Sequence, residues 1–214
     1  MAFDLSSAPL PQFSSLDKLF EFMMAMTDDP LAKSGSNVVI CRGNPNAGVL
    51  LIGEAPGPQE NIQGKPFVGK AGQLLDQILK SVHFDTQSDV FIVNSVFRMP
   101  PGENGVVFRK PTNNEIIYYR KYVREIIRLT NPDIILLAGN VACQSLLDQT
   151  GITRMRGEWI QFEGHLVMPI FHPSYLLRNP SRDADSPKAL MWKDIQEIRR
   201  KYDELKGENT KPVE

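Results

Sequence analysis

A carboxylate stands in a glycine-flanked turn, Gly53-Glu54-Ala55-Pro56-Gly57, directly after the apolar run Val49-Leu50-Leu51-Ile52. Glu54 in that setting can hold a water or steady a cation. Asn94 ends a second apolar run, Val90-Phe91-Ile92-Val93. Its amide offers a donor and an acceptor, enough to read one edge of a base. His172, in Phe171-His172-Pro173-Ser174, follows a third run, Leu166 to Ile170, and can donate to an oxyanion. Phe67, in Gly64-Lys65-Pro66-Phe67-Val68-Gly69, offers a face on which a base can stack.

Each residue alone has a plainer explanation: a capped turn for Glu54, a satisfied structural imidazole for His172. Other chemistries find less support. The chain has neither GxGxxG nor GxxxxGK[ST], so nucleotide-cofactor readings lose their main signal. Three histidines without ligand spacing argue against zinc. Ser174 lacks the GxSxG elbow of serine hydrolases. Together, a carboxylate, an amide, an imidazole and an aromatic face suit hydrolysis of an N-glycosidic bond on a base turned out of its stack.

The elements that must position these groups alternate between strand and helix. Leu16, Leu19, Phe20 and Met23 predict an amphipathic helix capped by Ser14 or Ser15 and ended near Pro30. Strands are expected at 49–52, 90–93 and 134–137, and a hairpin at 159–162 and 166–170 across Glu163-Gly164-His165. Helices are expected around 74–82, 113–130, 141–147 and 186–205, with long loops at 53–69 and 95–111. That order predicts an α/β fold with a mainly parallel sheet. Ligands of such sheets sit outside the carboxyl ends of the strands, which here carry Glu54, Asn94, Gly139 and His172.

The 214 residues, 42% hydrophobic and 23% charged, suffice for one domain with a sizeable core. No apolar run approaches a membrane span, and Met1 to Gln12 shows no leader pattern. Two cysteines, Cys41 and Cys143, make no disulfide framework, so a reduced, cytoplasmic protein is expected. The net charge of −1 hides an asymmetry. Residues 1–60 hold three basic and seven acidic groups, whereas 98–128 hold seven basic and three acidic. The basic stretch reads equally as a solvated face or as a phosphate-binding surface including Arg109 and Lys110.

From about Asn37 to Tyr202 the chain resembles the uracil-DNA glycosylase superfamily, and most closely its iron–sulfur class, family four. The resemblance rests on Gly43-Asn-Pro-Asn-Ala47, Gly53-Glu-Ala-Pro-Gly57, the stretch Gly64 to Asp76, Asn94, Pro100-Pro101, Arg156-Gly157 and Phe171 to Pro180. It implies a three-layer α/β/α sandwich around a mainly parallel central sheet, acting without a metal or cofactor in the chemical step on DNA containing uracil. It also implies roles. Glu54 and Glu60 resemble the carboxylates that place water and stabilise the sugar cation. Phe67 resembles the stacking platform and Asn94 the uracil reader. His172 resembles the donor to uracil O2, with backbone near Ala55 also facing the base. The segment from His172 to Arg178, with Ser174, resembles the loop that enters the minor groove, and Leu176 its wedge.

The chain departs from family four at the cluster. Its four cysteine positions fall at Met26, Asp29, Arg98 and Tyr119, none of them Cys. The expectation is therefore no iron–sulfur cluster, with an Asp29–Arg98 ion pair in its stead. Swapping both charges is expected to restore stability lost in either single variant. The family's usual Asp after Glu60 is Asn61 here, and the loop from Gly102 to Lys110 is longer than the family pattern. A branch that traps uracil on a histidine is disfavoured, since no His lies between His83 and His165. The expected layout is an N-terminal helix and loop (1–36), a glycosylase-like domain (37–205) and a flexible tail (206–214), working as a monomer. Two other functions remain open: a catalytically silent DNA-binding relative, and a glycosylase for another deaminated base.

Overall fold

The computed structural model describes residues 10–102 and 108–207. The expected tail beyond Gly207, and residues 103–107 of the loop before Lys110, lie outside the described residues. The elements run α1 (Leu16–Met24), β1 (Cys41–Gly43), β2 (Val49–Gly53), α2 (Pro58–Gln63), α3 (Lys70–Ser81), β3 (Val90–Asn94), α4 (Asn113–Thr130), β4 (Ile134–Ala138), α5 (Asn140–Leu147), α6 (Ile152–Met155), β5 (Ile160–Phe162), β6 (His165–Ile170), α7 (Pro173–Arg178) and α8 (Pro187–Lys206).

Local chemistry sets the helix ends. Ser15 accepts from the Lys18 N–H to open α1, and Ser186 from Ala189 N–H to open α8. Thr112 and Glu115 form a reciprocal capping box on α4, whose chain then turns at Asn131 with φ 44°. Glu163 (φ 49°) and Gly164 (φ 91°) give the β5–β6 hairpin its two left-handed turn positions.

The six strands lie in the order β1-β3-β2-β4-β6-β5. The inner four are mutually parallel, while β1 and β5 close the edges antiparallel. Every residue of β2, β3 and β4 is buried, as parallel strands covered on both faces require. Strand alternation sorts their side chains into two cores. Leu50, Ile52, Phe91, Val93, Ile135 and Leu137 pack with α1, α4 and α5. Val49, Leu51, Val90, Ile92, Ile134 and Leu136 pack with α3, α7 and α8. The result is the α/β/α sandwich with a mainly parallel sheet. No helix among the described residues is long and apolar enough to cross a membrane.

The chain passes from β2 to β3 on one side and then returns to β4 on the other, so β2 marks the topological switch. The crevice outside its carboxyl end is where such sheets bind ligands. Four short elements fall where loops were expected: β1, α2, α6 and α7. Three of them, α2, α6 and α7, border that crevice.

Candidate active site

Gly53 and Asn94 are paired across β2 and β3, so the turn carrying Glu54 begins beside the Asn94 amide. Backbone bonds fix the junction: Ser95 N–H donates to Gly53 O (3.0 Å) and Val96 N–H to Glu54 O (3.1 Å). The Ser95 hydroxyl adds a bond to Gly53 O at 2.7 Å. Asn94, 2% exposed, carries no protein hydrogen bond on its amide among the described residues. That amide borders a cavity of about 510 Å³ also lined by Glu54, Ala55, Glu60, Phe67, His172, Ser174, Lys110 and Arg178.

Phe67 closes the cavity floor. It holds a left-handed backbone, φ 54°, and its ring stacks on His172 at 5.6 Å between centroids. Two glycines make room for it. A Cβ on Gly53 would meet the Phe67 ring and Asn94 Oδ1 at 2.5 Å, and one on Gly72 would strike the Phe67 carbonyl. Glycine is the residue that permits such approaches.

His172 precedes α7 and accepts the Ser174 N–H on Nδ1 at 3.2 Å, with Ser174 Oγ 2.8 Å from the same nitrogen. An Nδ1 that accepts a backbone N–H has its lone pair free, so the ring proton resides on Nε2. Burial, reinforced by the Arg178 charge, pushes the imidazole down to about 4, so it is neutral at physiological pH. Glu54 is shifted the other way. Burial raises it above the usual carboxylate value, and Lys110 and Arg178 partly offset the rise.

Several expected residues sit differently from the sequence expectation. Glu60 lines the cavity, but both its oxygens accept backbone N–H groups: Oε1 from Val68 (2.9 Å) and Gly69 (2.8 Å), Oε2 from Gly57 (3.2 Å). Ser174 is a partner of His172. Leu176, expected as the wedge, is instead 1% exposed and packs in the α3/α8 core. The next residue on α7, rotated about 100°, is Leu177, which is 46% exposed beside Tyr175. Arg109 is held in a fork by Glu115, Nη2–Oε1 2.6 Å and Nη1–Oε2 2.8 Å. Most of the basic stretch is likewise engaged within the molecule, Arg98 with Asp29, Arg120 with Asp148, Arg124 with Glu163 and Arg128 with Glu125. Phe108, Asn140, Thr153 and Tyr175 also line the cavity and were not legible from motif chemistry.

A model of the uracil DNA glycosylase superfamily matches residues 41–196. The chain belongs to the uracil-DNA glycosylase superfamily. Within it, the chain is 35% identical over 173 residues to the type-4 uracil-DNA glycosylase of Thermotoga maritima, covering 79% of this chain and 85% of that one. It is 31% identical over 194 residues to the type-4 enzyme of Sulfurisphaera tokodaii, covering 86% and 84%. It is 32% identical over 175 residues to that of Archaeoglobus fulgidus, covering 78% and 85%.

Met26, Asp29, Arg98 and Tyr119, the positions where the resemblance to family four would place cysteines, converge in space. Asp29 Oδ2 accepts from Arg98 Nε at 2.8 Å, and its Oδ1 accepts the Tyr119 hydroxyl at 2.6 Å and Leu31 N–H at 2.8 Å. Arg98 also donates to Ser36 O (2.5 Å) and to the carbonyl of Met26 (3.1 Å). Asn61, the other departure, stitches α2 to the same segment: Asn37 N–H donates to Asn61 Oδ1 at 2.7 Å and Asn37 Nδ2 to Asn61 O at 2.8 Å.

Proposed function

We propose that the protein hydrolyses the N-glycosidic bond of deoxyuridine in DNA, releasing uracil and leaving an abasic site. The observation that carries this reading is the unpartnered Asn94 amide, beside the Phe67 ring and a neutral imidazole in one cavity. A uracil stacked on Phe67 would give its N3–H to Asn94 Oδ1 and accept on O4 from Nδ2. Cytosine presents a donor where uracil has O4, so the same amide would oppose donor to donor. As the bond to C1′ lengthens, negative charge gathers on uracil O2, where His172 Nε2–H donates to it. Glu54, ionised, holds the attacking water and offsets charge on the sugar. Lys110 and Arg178 flank this carboxylate and would hold the phosphates beside the extruded nucleotide. Leu177, with Tyr175, is the apolar edge placed to fill the gap in the duplex.

The reading includes no iron–sulfur cluster. A cluster requires thiolates, and the four side chains are a thioether, a carboxylate, a guanidinium and a phenol, with the Asp29 carboxylate bonded to both Arg98 and Tyr119. Burial pushes the thiols of Cys41 and Cys143 up to about 11 and about 12, which disfavours the ligating form. Uracil-containing oligonucleotide, incubated with wild type, Glu54→Ala and His172→Ala, tests the activity. Alkali-sensitive cleavage lost in both variants is expected. Tight DNA binding without base release from any substrate would make the protein a silent relative. Iron analysis of the active protein tests the second part.

A further inference from the structure

We infer that Glu60 is a positioning residue, joining the two walls of the uracil pocket through backbone N–H groups rather than acting on the sugar or water. The inference rests on the reading above and deepens it. Glu60 stands at the third position of α2, where its Oε2 takes the N–H of Gly57, three residues beyond Glu54. Its Oε1 takes the N–H groups of Val68 and Gly69, which follow Phe67 and open α3. One carboxylate thus caps two helix starts and ties the Glu54 turn to the Phe67 turn.

The need for such a clamp is visible at Phe67. A left-handed backbone costs a non-glycine residue about 1–2 kcal/mol, so the turn must be held from outside. Gly69, the cap of α3, supplies no side chain for the purpose. Gly57 and Gly69 leave space for the carboxylate: a Cβ would lie 2.9 Å from Oε2 at Gly57 and 3.3 Å from Oε1 at Gly69. With three N–H donors on its two oxygens, Glu60 is satisfied before any substrate arrives.

The clamp and a direct chemical role predict different behaviour of Gln and Ala. Glutamine retains one carbonyl oxygen, which can keep Val68 and Gly69, but its amide N–H would oppose Gly57 N–H. Alanine loses both ties. Free uracil engages Phe67, Asn94 and His172 without water or sugar charge, so its inhibition constant reports on the build of the pocket rather than on the chemical step. Three readouts are compared in wild type, Glu60→Gln and Glu60→Ala: excision kinetics, inhibition by free uracil, and hydrogen exchange at the Val68 and Gly69 amides. The clamp predicts about tenfold weaker uracil inhibition in Glu60→Ala, as lost base stacking would give, with Glu60→Gln within about threefold of wild type. It also predicts faster exchange at both amides in Glu60→Ala. Equal rate loss in both variants, with uracil inhibition and exchange unchanged, would overturn it and place Glu60 at the reacting centre. Should Glu60→Ala not fold, Glu60→Gln decides: faster exchange at the Gly57 amide with an excision rate lowered less than in Glu54→Gln supports the clamp, and unchanged exchange with a rate lowered as far as in Glu54→Gln rejects it. Exchange is read without catalysis, so a wild type that releases no uracil refutes the functional reading while leaving the clamp judged on its own.

Discussion

Asp29 Oδ2 lies 2.8 Å from Arg98 Nε, joining the segment after α1 to the loop after β3 across 69 positions of sequence. The Asp29 side chain is fully buried and that of Arg98 is 12% exposed. Removing one partner of a buried pair leaves an uncompensated charge. Arg98→Met should therefore lower unfolding stability by about 3–5 kcal/mol. The charge swap should fail to restore it, because Arg at 29 cannot accept from Leu31 and Tyr119, and Asp at 98 cannot donate to Ser36 and Met26. Urea titrations of both single variants and the swap check this, and full recovery in the swap would reduce the network to a simple pair.

Leu177→Ala should cut excision from duplex DNA several-fold more than from single strands, and change stability by less than about 0.5 kcal/mol. Leu176→Ala should do the opposite, costing about 2–5 kcal/mol of stability through the cavity it leaves. Paired denaturation and activity assays on the two strand forms separate the neighbours.

Arg109 and Lys110 should part company in the same way. Lys110→Ala should weaken DNA binding irrespective of sequence and reduce the salt slope by about 1. Arg109→Ala should leave that slope unchanged and destabilise the start of α4, by removing the guanidinium that neutralises Glu115. The check is binding across a salt series beside thermal melts.

Acid should affect rate and stability through different groups. Glu54 must be ionised, and its pKa is raised by burial, so kcat/KM should fall on the acid side at a pH above the ordinary carboxylate range. His172 is held near 4 against a usual 6.5. As pH falls from 6.5 to about 4 the unfolded imidazole binds a proton that the folded one refuses, so stability declines across that window. The loss is on the order of 3 kcal/mol, and His172→Ala should abolish it. No inflection from imidazole should appear in kcat near pH 6.5.

Much of the scaffold was legible because the buried parallel strands are uninterrupted apolar runs and the long helices carry their caps beside them. Glu54, Asn94, Phe67 and His172 could be singled out because each follows or faces a strand end. Other roles depend on partners distant in sequence. Nothing near Arg109 marks Glu115 as the group that neutralises it, and nothing near Glu60 shows that α3 begins against its carboxylate. Leu176 and Leu177 are identical in type, and only the packing of α7 on α3 and α8 decides which faces inward. Short elements such as α2 and α7 carry too few residues for a periodic signal and read as loop.

The long reach of the N-terminal contacts has a consequence for how the chain is made. Asp29 waits for Arg98, 69 residues on, and for Tyr119, 90 residues on, while the Phe13 carbonyl waits 115 residues for Arg128. At ribosomal speeds of about 5–20 residues per second, α1 leaves the ribosome roughly 5–20 s before its partners exist. Leu19, Met23, Met26 and Leu31, all buried in the finished protein, face water in that interval. α1 therefore waits undocked, and the nascent chain offers chaperones an apolar handle, until α4 emerges.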